Sequence, residues 1–178
     1  MALHVLRSPA EDAAELAQAL RDARMETLRC AVCGNITLRT PCAICEDEDR
    51  DRTLVCVVEG PREVERMESA GVFTGLYHVL MDGFAPREGA EPEPDALDAL
   101  RKRVKQDGVL EVVLATAPDR EGEGAGLLVA EALEGLEVTL TRLARGVPVG
   151  TRLEYLHGEI LADAFLGRSA VPAPSSSR

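Results

Sequence analysis

Thr53-Leu54-Val55-Cys56-Val57-Val58-Glu59-Gly60-Pro61 is a near-continuous apolar run closed by an acid and two structure-breaking residues. A strand with one wet face alternates apolar and polar side chains. This run does not, so it predicts a strand over 53–58 covered on both faces, as in a parallel sheet flanked by helices. Cys56, inside the run, reads as a buried free thiol.

Downstream, helix and strand signals alternate. Arg62–Ala70 reads as a short helix closed by Gly71. Leu76–Leu80 is a second strand, and the Gly-, Pro- and Glu-rich residues 82–94 an exposed loop. Asp95 caps a helix carrying Leu97, Leu100 and Val104, which stops near Gly108. Val109–Thr116 is a third strand, Glu123–Leu133 a helix and Val138–Leu143 a fourth strand. This alternation predicts an α/β fold with a mainly parallel sheet and right-handed crossovers. Ser169–Arg178 is Pro- and Ser-rich and is expected to be disordered.

Upstream of the run, the polar stretch Glu46–Arg52 reads as a boundary. Before it stand two close pairs, Cys30-Ala31-Val32-Cys33 and Cys42-Ala43-Ile44-Cys45. Two Cys-x-x-Cys pairs at this separation predict a four-thiolate tetrahedral zinc site at Cys30, Cys33, Cys42 and Cys45. A pair of disulfides is the alternative, disfavoured because the rest of the chain reads as cytosolic. Four cysteines leave no open coordination position, so the zinc is expected to be structural. Further upstream, Ser8 and Pro9 open a helix running to about Met25. Its stripe of Ala13, Leu16, Ala17 and Leu20 is expected to join the core.

The composition limits the function classes. The 178-residue chain has a formal net charge of −11. That argues against a phosphate-binding surface over the whole molecule. Two local basic clusters remain: Arg21, Arg24, Arg29 and Arg39, and Arg101, Lys102, Arg103 and Lys105. Each is either a solvated surface or a local patch. Two Tyr, three Phe and no Trp are too few and scattered for a base-stacking platform. No stretch has the length of a membrane span, and Met1–Arg7 lacks the features of a signal peptide. The chain is expected to be cytoplasmic, with no membrane partner. His4, His78 and His157 are isolated and read as structural or surface residues.

Acids gather where a parallel sheet places its ligands, beyond the carboxyl ends of strands. Glu59 ends the first strand, and Asp119, Glu121 and Glu123 follow the third. Converging carboxylates can hold Mg²⁺ through oxygen. Equally, acids near a helix N-terminus are favoured by its dipole without any ion.

The zinc segment, Val55-Cys56-Val57-Val58-Glu59, Gly75-Leu76-Tyr77-His78-Val79-Leu80 and Arg145-Gly146-Val147-Pro148-Val149-Gly150 together resemble the RecR family of bacterial recombination mediators. The resemblance covers nearly the whole chain except the tail. It implies an N-terminal helical segment (1–29), a zinc finger (30–52), a Toprim domain (53–150), a C-terminal interface segment (151–168) and a tail (169–178). It also implies a non-enzymatic role with RecO, and in some bacteria RecF, in loading RecA onto single-stranded DNA. Dimers and ring-shaped tetramers able to encircle DNA are implied as well.

The chain departs from the family pattern in three places. The N-terminal helix-hairpin-helix has no counterpart, and Met1–Leu6 resembles the end of its last helix. Pro118-Asp119-Arg120-Glu121-Gly122-Glu123 is closer to the Toprim motif of topoisomerases, yet Ala117 stands where those carry the first of two aspartates. His157 stands where the family commonly has an acid. The leading expectation is a repair adaptor with an acidic face. The alternatives are a Mg²⁺-dependent Toprim nuclease and a structural dimerisation module.

Overall fold

The computed structural model describes residues 7, 9–80 and 94–170. Two compact units divide the chain, Met1–Thr141 and Arg142–Arg178.

The first unit is built on a four-stranded sheet. Its strands are β3 (Asp51–Val58), β4 (Gly75–Val79), β5 (Glu111–Leu114) and β6 (Thr139–Arg142), in the order β4-β3-β5-β6. The numbering leaves β1 (Leu28–Arg29) and β2 (Ile36–Thr37) for a small antiparallel pair. β3 pairs in parallel with both neighbours, with Val57 opposite His78 on one side and Leu114 on the other.

The apolar run behaves as its composition demands. Val55, Cys56, Val57 and Val58 are all fully buried. Val55 and Val57 pack with Leu100, Val104, Val112, Ala125 and Val129, on the face covered by α4 (Pro94–Gln106) and α5 (Arg120–Ala132). Cys56 and Val58 point the other way, onto Val64, Tyr77 and Val79, under α3 (Pro61–Ala70). α3 ends at Gly71, whose φ of 62° supplies the left-handed cap. Arg50 donates to both Glu68 and the Gly75 carbonyl, and Tyr77 donates to Glu68 at 2.7 Å, tying α3 to β4.

Three expectations need correction. α1 (Ala10–Glu26) forms as read, but none of its residues is buried. Leu16 is 44% and Leu20 61% exposed. The reason is that α3 covers one face of the sheet and α4 with α5 the other. α1 starts one residue later than expected, with Pro9 at its cap position. Ser8, the expected cap, lies outside the described residues, as do His4, residues 82–93 of the loop expected at 82–94, and the tail from 171; α4 starts at Pro94, so Asp95 is within the helix rather than its cap.

Secondly, α5 starts at Arg120 rather than Glu123. Asp119 is its cap, and its carboxylate accepts the Gly122 N–H at 2.8 Å. Gly122 is the residue that lets the first turn fit. A Cβ there would collide with the carbonyl oxygen, nitrogen and carbonyl carbon of Ala117.

Thirdly, the second basic cluster is not all surface. Arg101 donates to the carbonyls of Ala132 and Glu134, capping the end of α5. Arg103 is buried and donates to the Tyr77 carbonyl at 2.6 Å. Lys102 and Lys105 stay exposed.

The second unit contains a 3₁₀ turn (Leu153–Tyr155) and a helix (Gly158–Leu166) that the sequence reading left unassigned. Neither has a buried residue. Among the described residues no helix is long and apolar enough to cross a membrane.

Candidate metal centre and acidic sheet edge

The two cysteine pairs reach one point by different local structures. Cys30 and Cys33 lie in the turn between β1 and β2. That turn is closed by Gly34 N–H to the Cys30 carbonyl (2.9 Å) and Cys30 N–H to the Asn35 carbonyl (2.8 Å). Gly34 has φ 76°, a left-handed value at which a side chain is strained. Cys42 precedes α2 (Ala43–Glu46), and Cys45 lies within it. A tight turn in one pair and one helical turn in the other each bring two sulfurs to the same side.

All four thiols are buried and lie within 4.8 Å of one another. The Cys30–Cys45 sulfurs are 3.9 Å apart and those of Cys33–Cys42 3.7 Å. Metal–sulfur bonds of about 2.3 Å in a tetrahedron put sulfurs about 3.8 Å apart. A disulfide needs about 2.05 Å, and all five cysteines are free. The donor set therefore fits zinc and not two disulfides.

The electrostatics agree. Hydrogen bonding to Cys42 and Cys45, together with burial, pushes the Cys33 thiol well up. Bonds from Cys33 and then Cys45 pull Cys42 down to about 2. Ligation requires thiolates, so a cation held by all four would displace their protons. Cys42 N–H also donates to the Cys30 sulfur at 3.3 Å, and the Thr40 hydroxyl accepts from Ala31 N–H at 2.8 Å.

The finger is joined to the sheet at its outer strand. Val79 N–H donates to the Cys33 carbonyl at 2.8 Å, so β4 hands a backbone group to the metal loop. Ile44 packs against both the cysteine cluster and the apolar cluster under α3. Beside this junction is a cavity of about 190 Å³, lined in part by Arg29, Cys30, His78 and Ala96. His78 is buried, its Nε2 bonds the Ala96 carbonyl at 2.9 Å, and burial pulls its pKa down to about 4. That is a structural histidine.

The acids stand at the carboxyl ends of β3 and β5. Glu59 is half-buried and its Oε1 accepts the Ala117 N–H at 2.8 Å. Asp119 is engaged at Gly122 N–H. Glu121 is exposed and Glu123 half-buried in the first turn of α5. Among the described residues, the four cysteines form the one group of metal-ligating side chains converging within 4.8 Å. Glu59, Asp119, Glu121 and Glu123 share a sheet edge without such convergence. The Glu59–Ala117 bond was missed from sequence. The nearest signal was the apolar residue at 117 where the topoisomerase-like motif has an acid.

A model of the Toprim domain matches residues 53–144. Recombination protein RecR of Pelotomaculum thermopropionicum is 46% identical over 168 residues, 94% of this chain and 84% of that protein. RecR of Rhodopirellula baltica is 41% identical over the same shares. RecR of Staphylococcus aureus is 40% identical over 95% of this chain and 85% of its own length. The chain belongs to the RecR family. Its α/β fold is thus a four-Cys cluster followed by a Toprim domain, and its role lies in recombination and repair. In this RecR-family chain, the sheet edge that could serve metal chemistry instead has two of its carboxylates bonded to backbone.

Proposed function

We propose that this chain is a non-enzymatic recombination mediator that acts with RecO, and with RecF where present, to load RecA onto single-stranded or gapped DNA. One observation carries the reading: Glu59 and Asp119 spend carboxylate oxygens on the Ala117 and Gly122 amides. Ala117 adds no ligand of its own. A divalent ion needs several oxygens converging on it, mostly charged ones. What the edge offers is negative charge, from Glu59, Asp119, Glu121 and Glu123 together, suited to a cationic partner surface. The cysteine centre holds zinc through Cys30, Cys33, Cys42 and Cys45. Bound there, the ion would supply a closed structural cross-link and no reactive position.

A dimer or tetramer is part of the proposal. The unit Arg142–Arg178 exposes Val149, Leu153, Tyr155, Phe165 and Leu166. Exposed large apolar side chains in one short unit are the kind of surface that association would cover.

The test is charge reversal. Glu123→Lys should weaken affinity for a RecO-type protein by about tenfold, within the range for close charge pairs at interfaces, and leave the circular dichroism spectrum unchanged. Unchanged affinity contradicts the reading. In the same preparation, nicking of supercoiled plasmid with Mg²⁺ or Mn²⁺ would favour a Toprim nuclease instead.

A further inference from the structure

We infer that Glu59 is a positioning residue, which holds the turn between β5 and α5 in the shape that presents Glu121 and Glu123, and does not itself touch the partner. The inference rests on the acidic-edge reading and deepens it.

β3 and β5 are adjacent parallel strands, and their last backbone link is Ala115 N–H to the Val57 carbonyl at 2.9 Å. Beyond it the strands stop pairing. Glu59, one residue past β3, reaches across and accepts the Ala117 N–H at 2.8 Å. The side chain thereby continues the ladder where the backbone cannot. From the other side, Gly122 packs directly on Ala117, close enough that no Cβ fits between them. Ala117 is held between the two. Pro118 follows with a fixed φ and no donor. Asp119 then starts α5, with Gly122 N–H on its carboxylate (2.8 Å) and Glu123 N–H on its carbonyl (2.9 Å).

The turn from Ala117 to Gly122 is therefore closed by hydrogen bonds at both ends. Its output is the direction of the first turn of α5, where Glu121 and Glu123 stand. What Glu59 contributes is an acceptor oxygen at the right place. Its charge is secondary, and a glutamine carries an equivalent oxygen.

That distinction makes the role testable. The 178-residue chain would be compared with Glu59→Gln, Glu59→Ala and Gly122→Ala, each checked for bound zinc and for an unchanged circular dichroism spectrum. Amide hydrogen exchange at Ala117 and affinity for a purified RecO-type protein are the two readouts. Glu59→Gln should match the parent in both. Glu59→Ala should exchange Ala117 about tenfold faster and bind about tenfold more weakly, as for loss of one hydrogen bond. Gly122→Ala should weaken binding with Glu59 intact. Equal weakening by Glu59→Gln and Glu59→Ala would overturn the inference in favour of a charged contact. So would Glu59→Ala that leaves exchange and affinity untouched. If the parent chain has no affinity for the partner, the acidic-edge reading fails. The exchange readout still decides whether Glu59 holds the turn.

Discussion

At the residue scale, His78 shows how burial sets chemistry. Its Nε2 donates to the Ala96 carbonyl, so the proton sits there and Nδ1 is left as an acceptor without a protein partner among the described groups. Burial first, and the positive charges of Arg103 and Arg29 after it, pull its pKa from 6.5 to about 4. Between those values the unfolded chain binds a proton that the folded chain refuses. The histidine's contribution is thus fully present above the unfolded value and is lost as pH falls toward the folded one. Going from about pH 7.5 to about pH 5, the parent should lose about 2 kcal/mol that His78→Gln does not lose. Urea unfolding of both proteins at the two pH values measures the difference. Parallel losses would mean that His78 titrates alike folded and unfolded.

The residue scale also marks where sequence reading succeeds. Cys30, Cys33, Cys42 and Cys45 were legible because each pair is a local geometry, set by two intervening residues. The Glu59–Ala117 bond was not, because it joins residues 58 apart in the chain. It depends on which strands become neighbours, and no spacing states that.

At the scale of elements, the apolar run at 53–58 announced a strand buried on both faces, and β3 is the inner strand that both parallel pairings share. The stripe on α1 was misleading for a related reason. Periodicity tells which side of a helix is apolar, and says nothing of whether another element covers it. α5 was read as starting at Glu123 where it starts at Arg120, and Gly122 in its first turn lacks a side chain that would collide with Ala117.

The junction between finger and sheet yields an element-scale prediction. Because Val79 N–H bonds the Cys33 carbonyl, metal removal should be felt in β4. Zinc binding to such sites is worth on the order of 10 kcal/mol in isolated fingers. Stripping the metal with a chelator should therefore release one zinc per chain and accelerate amide exchange over 28–46 and at Val79. Val57, bonded inside the sheet, should remain protected. Cys33→Ser should reproduce the pattern with less than one zinc per chain. Protection at Val79 that survives zinc loss would show that the finger does not brace the strand.

At the scale of the whole molecule, a net charge of −11 sets the terms for DNA. Part of the local basic charge is spent inside the fold, with Arg101 capping α5 and Arg103 buried against β4. A chain so charged repels phosphate at long range, and on the proposed reading its affinity for DNA comes from cations that a partner contributes. On the proposed reading, the acidic edge and the sheet joined to the cysteine centre at Val79 would together recruit a basic protein.

The measurement that tests this most directly is binding to gapped DNA across a salt series, with and without a RecO-type partner. The account predicts negligible binding by this chain alone at physiological salt. With the partner, affinity should be measurable and its logarithm should fall linearly with the logarithm of salt concentration. Tight binding by this chain alone, unchanged when the partner is added, would contradict it.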